Sequence, residues 1–257
     1  MTFEQYCNLP GINASKLKLC MDGKSMMQAR HKMTTYDDKP CLAFGRIFHS
    51  MMECGQLPPS IAVSPFKDYR TKESQDWRAE TISSGNIPLS RKEVDDLVGM
   101  YKAVSEQYVY TGRAEIAFEW NGLKALMDVV DESTLTIIDW KTAADVTPRK
   151  LHHQAYTLGY LLQAWHYAKV LGGKLGVDPY RVNFEFVFVQ KSAPYEVVAM
   201  RMDFEAYETG KKQWEYSYDR LRKAEESGEW PGYGHGNIVV PEWATSNEEV
   251  EIDFGDA

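Results

Sequence analysis

The stretch from Gly122 to Lys141 constrains the fold of this chain more than any other. It reads as two β-strands joined by a polar turn, because apolar residues dominate 123–130 and β-branched residues are frequent in 134–140. The preceding residues, 114–120, alternate as a strand, and the Asn-Gly pair that follows them is typical of a hairpin turn. The sequence therefore predicts a meander of three strands.

Two acidic residues and one lysine occupy the ends of the last two strands. The first of these strands ends on Asp128 and the second on Asp139, with Lys141 two residues later. Because side chains alternate between the faces of a strand, Asp139 and Lys141 share one face and Trp140 points to the other. Asp128 is then close enough to share a metal ion with Asp139. The arrangement suits a metal-dependent phosphodiesterase, although Asp-x-Lys also occurs in many chains as a solvated strand end.

A helix predicted upstream of the meander would add a histidine to this site. Apolar residues recur at helical spacing from Pro40 to Glu53, and Gly55 stops the helix. Arg46 and His49 are three residues apart and lie on one side of it. His49 is then a candidate ligand of a metal or a phosphate, and the alternative is a histidine packed into the core.

A second helix, predicted from about His152 to the Gly172-Gly173 pair, follows the meander. Gln163 and Tyr167 are four residues apart on one of its faces. A glutamine that faced the sheet would be a costly buried polar group unless it had a partner. An exposed Gln163 is the simpler interpretation of a single helical glutamine.

The other predicted elements surround these. They are a helix over 15–20 capped by Asn13 or Ser15, a helix from Ser90 to Tyr108 with Glu93 in a capping box, strands over 181–190 and 195–202, and a helix over 204–227.

A third carboxylate is available on the first strand of the meander. Glu115 and Glu119 lie on the same face by two-residue alternation, and we prefer Glu115, although the sequence separates them weakly. Two aspartates and a glutamate favour Mg²⁺ or Mn²⁺ over Zn²⁺. The cysteines, Cys7, Cys20, Cys41 and Cys54, form no C-x-x-C pair, which argues against a zinc ribbon and predicts free thiols.

Basic and aromatic side chains interleave over residues 65–80. They are Lys67, Arg70, Lys72 and Arg78 with Phe66, Tyr69 and Trp77. Such a segment suits phosphates and unstacked bases, and its alternative is a solvated loop. The net charge of −8 is unfavourable for a nucleic-acid partner, but local patches and bound cations determine the field at a site. Lys16 and Arg46 are further candidates for contacts with DNA.

The 257 residues fit one large domain, and no linker divides them. No apolar run approaches the roughly 18 residues of a membrane span, and the first residues do not form a secretory signal, so we expect a cytoplasmic protein without membrane contact. Residues 245–257 carry five acids and neither Lys nor Arg, which accounts for five of the eight excess negative charges. They are predicted to form a disordered tail.

The order of these residues resembles a known superfamily. His49, Glu115, Asp128, Asp139-Trp140-Lys141 and Gln163-x-x-x-Tyr167 are similar to the pattern of the PD-(D/E)xK nucleases. More narrowly they resemble the RecE-type exonucleases of prophages (exonuclease VIII), with the nuclease domain of RecB as a more distant relative. The stretches that carry the resemblance are Ile12–Lys18, Phe44–His49, Ile138–Asp145 and Gln163–Tyr167, and Pro241-Glu242-Trp243 also fits. Met127 stands where the superfamily's name places Pro, a residue often absent in this branch.

The resemblance implies an α/β fold with a restriction-endonuclease-like core, a central mixed β-sheet flanked by helices. That core would span 111–244 of a single nuclease domain, 1–244, with an added N-terminal helical region, 1–110. The site residues implied are Asp128, Asp139, Glu115, His49 and the carbonyl of Trp140 as ligands of Mg²⁺ or Mn²⁺, Lys141 to activate water and stabilise charge, and Gln163 and Tyr167 to position them.

The resemblance also implies an activity. It is that of a processive 5′→3′ exonuclease on linear double-stranded DNA, which leaves 3′ single-stranded overhangs. The enzyme would form a homo-oligomeric ring, a trimer or a tetramer, and work beside a single-strand annealing protein in phage recombination. Alternatives are an endonuclease of the same superfamily and a catalytically silent DNA-binding or assembly protein. A Cas4-like iron–sulfur nuclease is disfavoured because no cysteine follows Cys54.

Overall fold

The computed structural model describes residues 3–35, 40–236 and 238–239, so the predicted acidic tail and the Pro-Glu-Trp stretch lie outside the described residues. The helices are α1 (Phe3–Asn8), α2 (Ala14–Leu19), α3 (Met26–Thr34), α4 (Pro40–Cys54), α5 (Lys72–Ser83), α6 (Arg91–Gln107), α7 (Pro148–Thr157), α8 (Tyr160–Leu175) and α9 (Phe204–Ser227). The strands are β1 (Ile61–Val63), β2 (Ile87–Leu89), β3 (Arg113–Trp120), β4 (Leu123–Asp131), β5 (Thr136–Ala143), β6 (Asn183–Gln190) and β7 (Val197–Arg201). None of these helices combines the length and the apolar character needed to cross a membrane.

Strands β3 to β7 form one mixed sheet in their chain order. Antiparallel pairing joins β3, β4 and β5, which confirms the predicted meander, and the turn between β3 and β4 has positive φ angles at Asn121 and Gly122. β5 and β6 run parallel, so α7 and α8 form the crossover that a parallel pair requires, and β7 returns antiparallel to β6. A mixed sheet with helices on both faces confirms the predicted α/β class.

Side-chain alternation along β6 builds a core on each face of this sheet. Phe184, Phe186 and Phe188 pack with α2, α8 and α9 on one face. Val187 and Val189 pack with α4 and α6 on the other. All five are buried, and each contributes roughly 1.5–3 kcal/mol of hydrophobic stabilisation. β5 alternates in the same way, so Asp139 and Lys141 are directed towards α8.

The helix predicted from His152 is two helices. α7 ends at Thr157 and α8 begins at Tyr160, because Gly159 takes a left-handed φ of +69° that a continuous helix excludes. The predicted end at Gly172-Gly173 was also wrong, since α8 runs to Leu175. A side chain at Gly173 would collide with the Trp120 ring, so this glycine serves close packing and does not end the helix.

The N-terminal region is mostly helical, but it also contains a small parallel sheet of β1 and β2. The segment at 65–80, for which a solvated loop was the alternative interpretation, is helical in its second half, where α5 begins with a cap from the Thr71 side chain. The Ser90–Glu93 capping box at the start of α6 is confirmed. The cap of α2 is Asn13, whose side chain accepts from the Lys16 N–H.

A buried lysine ties the start of the chain to the sheet. Lys124 in β4 is 4% exposed, and its Nζ donates to the carbonyls of Tyr6, Cys7 and Leu9 at 2.6–3.1 Å. Ile12 forms a bridge with Leu123 immediately beside it. These contacts hold the residues just before α2 against β4.

Candidate functional site

The candidate site lies where β4 and β5 part. Their pairing ends at Val129 and Ile138, and at the next position the Asp128 carboxylate accepts from the Trp140 backbone N–H at 2.9 Å. The carbonyl of a strand residue faces the same neighbouring strand as its N–H, which places the Trp140 carbonyl on the Asp128 side. The prediction that Asp128 ends its strand was wrong, because β4 continues to Asp131 and its last three residues, 129–131, are the ones that pair with β5.

Backbone strain marks the same point on β3. Glu115 stands opposite Asp128, but the two do not pair, although the residues on both sides of them do. Glu115 has a φ of +44°, a conformation that costs a non-glycine residue on the order of 1–3 kcal/mol. On β4, Met127 packs on the α8 face and Val129 on the α4 face, so side-chain alternation also breaks at Asp128. Backbone outliers of this kind cluster at functional sites.

Asp128 can be reached from both faces of the sheet through this gap. From α4, the His49 Nδ1 lies 3.1 Å from Asp128 Oδ1. Burial opposes the charge on His49, but the Asp128 carboxylate raises its pKa above the ordinary value. Burial likewise opposes charge on Asp128, and the neighbouring His49 and Lys141 lower its pKa in spite of it. The pair is therefore held as an ion pair.

Asp139 and Lys141 meet on the α8 face, as alternation predicted. Their side chains form a salt bridge and are 4% and 16% exposed. Burial raises the pKa of Asp139, with Lys141 opposing and Asp128 adding to the shift. Burial would lower the pKa of Lys141, but the two aspartates raise it, so the ammonium stays charged. The Lys141 Nζ also lies 5.1 Å from the centre of the Tyr160 ring.

Gln163 of α8 points into the site and is 6% exposed. Its Nε2 donates to Asp139 Oδ1 at 2.5 Å, so the partner required for a buried glutamine is present. Tyr167 is on the same face of α8 and packs against the Phe184 ring. Burial and the charges of Asp139 and Asp128 raise the pKa of Tyr167 well above its ordinary value, which keeps the phenol neutral.

Two residues that sequence reasoning missed complete this face. The Nζ of Lys18, on α2, donates to Gln163 Oε1 at 2.5 Å. Tyr160, at the start of α8, lies under both Lys18 and Lys141, each 5.1 Å from its ring centre. Burial and the charge of Lys141 lower the pKa of Lys18 to about 7. The sequence signal for Lys18 was its place in the stretch Ile12–Lys18, which carries the family resemblance, but Lys16 was the lysine predicted there as a site residue.

Glu53 is a third missed residue, one helical turn after His49 on α4. It shares with Glu115 a small cleft that is also lined by His49, Asp128 and Trp140 of β5. Burial, a hydrogen bond with Glu53 and the nearby acidic charges raise the pKa of Glu115 to about 7. Glu119, the alternative to Glu115, pairs with Lys124 at the other end of the hairpin and does not line this cleft.

The residues predicted to contact DNA belong to α2, α4 and the segment around the start of α5. Arg46 is exposed one turn before His49 on α4, and Lys16 is half-buried on α2. Lys67, Arg70 and Lys72 are exposed around the start of α5, and Arg70 forms a salt bridge with Asp68.

The aromatic residues of the segment at 65–80 contact one another. The rings of Tyr69 and Trp77 stack with an interplanar angle of 10°, and the Arg78 guanidinium lies 5.0 Å from the centre of the Tyr69 ring. Tyr69 therefore contacts both Trp77 and Arg78, and the role of the segment in binding DNA stays a prediction.

The chemistry of the donor set fits a hard divalent cation. Asp128, Asp139, Glu115, His49 and the Trp140 carbonyl offer mostly oxygen ligands, as Mg²⁺ and Mn²⁺ prefer. In the described part of the chain, no three His, Cys, Asp or Glu side chains converge on a single point. The carboxylates are turned instead to His49, Lys141, Gln163 and Glu53. A cation would replace some of these pairings.

The chain is similar to known proteins in its family model and in its fold. A family model described as a PDDEXK-like domain of unknown function matches residues 14–239. A crystal structure of a "putative exonuclease" from Eubacterium rectale aligns with a TM-score of 0.65 at 13% identity, covering 96% of this chain and 98% of that one. A phage-related exonuclease from Haemophilus somnus 129PT aligns with a TM-score of 0.39 at 12% identity, covering 88% and 100%. No curated protein matches the chain.

Proposed function

The chain belongs to the family of PDDEXK-like domains, and from this premise we propose that it is a metal-dependent nuclease that hydrolyses phosphodiester bonds of DNA. The observation that carries the proposal is the gap between β4 and β5. There Asp128 accepts from the Trp140 backbone N–H. Asp139 and Lys141 lie on either side of Trp140 in the strand and form a salt bridge, and the Asp139 carboxylate also accepts from Gln163. The Asp139 and Lys141 side chains are 4% and 16% exposed, and taking two charges out of water is costly for stability.

We propose that Asp128, Asp139, Glu115, His49 and the Trp140 carbonyl hold one or two Mg²⁺ or Mn²⁺ ions. When bound, such an ion lowers the pKa of a bound water and neutralises charge on the phosphate. The charged ammonium of Lys141 donates hydrogen bonds and accepts none. It would stabilise negative charge on the phosphate and orient the attacking water. Gln163 holds Asp139 in place, and the neutral Tyr167 lines the same side.

The charge distribution near the site supports a polyanionic substrate. Residues 146–177, which span α7 and α8, contain no Asp or Glu, although the chain has 37 acidic residues. α7 begins five residues after Ala143, the end of the strand that carries Asp139 and Lys141, and Leu151 is its one buried residue. Arg149, Lys150, His152 and His153 are exposed on it. This helix would face DNA that enters the site.

The finer proposal is an exonuclease on linear double-stranded DNA that works processively 5′→3′ and leaves 3′ overhangs. Its support is the order of site residues, which resembles that of RecE-type exonucleases, and the name of the Eubacterium rectale protein, a putative exonuclease. On the same ground we propose a ring of three or four copies, a single-strand annealing protein as partner, and a phage or prophage origin with action in the host cytoplasm.

The test compares linear duplex labelled at one 5′ end with closed circular duplex, each with Mg²⁺, Mn²⁺ or EDTA. We expect release of 5′ label from linear DNA only, and only with a metal. Asp139→Ala and Lys141→Ala should abolish release while circular dichroism shows an intact fold. Nicking of the circle would favour the endonuclease, and binding without cleavage in every condition would favour the silent DNA-binding protein. Retained activity in both variants would exclude this site.

Light scattering of the purified protein tests the ring, with a mass of three or four times 29.4 kDa as the expected result.

A further inference from the structure

Lys18 occupies an unusual place for a lysine of the N-terminal region. Its Nζ is 2.5 Å from Gln163 Oε1, across 145 residues of sequence. The other end of the same amide, Nε2, is 2.5 Å from Asp139 Oδ1. Lys18, Gln163 and Asp139 therefore form a chain of two short hydrogen bonds that ends on the central carboxylate of the site.

The scaffold around Lys18 keeps it in this place. Leu17, the preceding residue, is fully buried in the core with α8. Asn13 caps α2, and Ile12 bridges to Leu123 at the start of β4. Residues two positions apart on a helix differ by about 200° around its axis, so Lys16 points away from the side that Lys18 presents to α8.

We propose that Lys18 is a positioning residue that fixes the orientation of the Gln163 amide and, through it, the Asp139 carboxylate. The proposal rests on the proposed nuclease function only for its consequence on turnover. An amide can be turned over to exchange its oxygen and its nitrogen at little steric cost. While it is charged, Lys18 only donates, so it is compatible with one orientation alone, with Oε1 towards the ammonium and the NH₂ towards Asp139. In the reverse orientation, Oε1 would face the carboxylate and the NH₂ would face the ammonium, which pairs like with like twice.

The site is accordingly incomplete without the N-terminal segment. Lys141 already pairs with one oxygen of Asp139, and Gln163 binds the other. With the amide turned over, that second oxygen would lose its donor, and Lys141 alone would hold the Asp139 carboxylate. Groups that orient the ligands of a metal typically change affinity or activity by ~10- to 100-fold when removed.

A double-mutant cycle tests the coupling. The variants are Lys18→Met, Gln163→Met and the pair, with Lys32→Met, an exposed lysine on α3, as the matched control. The readouts are kcat and KM on linear duplex, Mn²⁺ affinity by electron paramagnetic resonance, and exchange protection of the Gln163 side-chain amide by NMR with ¹⁵N-glutamine.

We expect Lys18→Met to lower kcat ~10- to 100-fold with KM within about 2-fold, and to weaken Mn²⁺ binding about as much as Gln163→Met does. In the Gln163→Met background, Lys18→Met should add less than about 2-fold, because it acts through the amide. Amide protection at Gln163 should fall in Lys18→Met without any metal or DNA.

Three results would overturn the proposal. They are unchanged amide protection in Lys18→Met, independent multiplying effects of the two substitutions, and an effect confined to KM, which would mean that Lys18 contacts the phosphate directly. Absence of nuclease activity in the wild type would refute the proposed function, and amide protection alone would then decide the role of Lys18.

Discussion

The imidazole of His49 and the carboxylate of Asp128 are 3.1 Å apart, although one belongs to a helix on one face of the sheet and the other to a strand. The contact is possible because β4 and β5 part at Asp128. Asp128 is thereby held on one oxygen by His49 and on the other by the Trp140 N–H. Because both of its oxygens are held, the Asp128 carboxylate has a fixed orientation, which suits the proposed role of a metal ligand.

Asp128→Asn should lower kcat/KM on linear duplex by ~10³-fold or more, because an amide cannot supply the charge that holds a divalent cation. The amide can keep the hydrogen bond from Trp140, so thermal unfolding should change little. Asp131→Asn, on the same strand but bonded to Ser133 and Thr111, is the matched control and should keep wild-type kcat/KM. Equal losses in both variants would point to a general defect of β4.

One measurement can decide whether Glu115 or Glu119 is the third carboxylate of the metal site. Glu115 lines the cleft with Asp128, whereas Glu119 lies opposite Lys124 in the register of β3 and β4. We expect Glu115→Gln to weaken Mn²⁺ binding by about 10-fold or more and Glu119→Gln to leave it within about 2-fold. Calorimetric titration of the two variants measures this, and the opposite ranking would move the third carboxylate to Glu119.

Lys141→Met and Asp139→Asn should separate turnover from metal binding. Lys141 offers no ligand, so the methionine variant should bind Mn²⁺ at least as tightly as the wild type while kcat falls ~10²- to 10³-fold. Methionine also suits its apolar neighbours, the Tyr160 and Phe186 rings. Asp139→Asn should lose both properties. Loss of Mn²⁺ binding in Lys141→Met would argue that the lysine organises the ligands.

The basic surface of α7 should affect DNA binding but not the chemical step. Arg149→Ala should weaken binding of duplex to the Asp139→Ala protein and reduce the slope of log K against log[salt] by about 1, as expected for one lost phosphate contact. Lys102→Ala, an exposed lysine on α6, is the control. An unchanged salt slope for Arg149→Ala would exclude α7 from the DNA-binding surface.

Acid should destabilise the fold through His166, which is fully buried under α9. Its Nδ1 accepts from Trp214 Nε1 and its Nε2 donates to the Lys124 carbonyl, so only the neutral ring satisfies both partners. Burial lowers the pKa of His166 to about 4, against an ordinary value of 6.5. Between these values the unfolded chain binds the extra proton, so stability rises with pH. It falls by roughly 3 kcal/mol as the pH drops from 6.5 to 4.

Urea unfolding of the metal-free protein at several pH values measures this effect. His166→Gln should lose that part of the pH dependence, whereas His31→Gln, an exposed histidine on α3, should keep it. A pH dependence that is identical in the wild type and His166→Gln would assign the acid sensitivity to other groups.

Local patterns were enough to predict the elements that bear the site. Alternation placed Asp139 and Lys141 on one face, the Asn-Gly pair placed the hairpin, and Ser90 with Glu93 placed the start of α6. These predictions succeeded because each depends on neighbouring residues. The break of helix 152–171 at Gly159 is local as well, but a single glycine is tolerated within many helices and did not indicate it.

What the sequence did not reveal depends on contacts between distant segments. Lys18 meets Gln163 only because α2 packs on α8, and Glu53 meets Glu115 only because α4 covers the end of β3. The left-handed backbone of Glu115 is likewise invisible in sequence, since a glutamate does not normally adopt it. Tyr160 was missed for the same reason, as its role as a platform for two lysines exists only in the assembled structure.

The hydrogen bonds from Lys124 to three carbonyls near the start of the chain affect the order in which the protein can fold during its synthesis. The ribosome makes the first helices early, yet the strand that receives them and the helix that Lys18 reaches emerge more than a hundred residues later. At roughly 5–20 residues per second, several seconds pass before α2 can dock. The first segment of a newly made chain therefore has to wait for β4 and α8 before it can close over them, and the catalytic centre cannot be complete until α8 has been made.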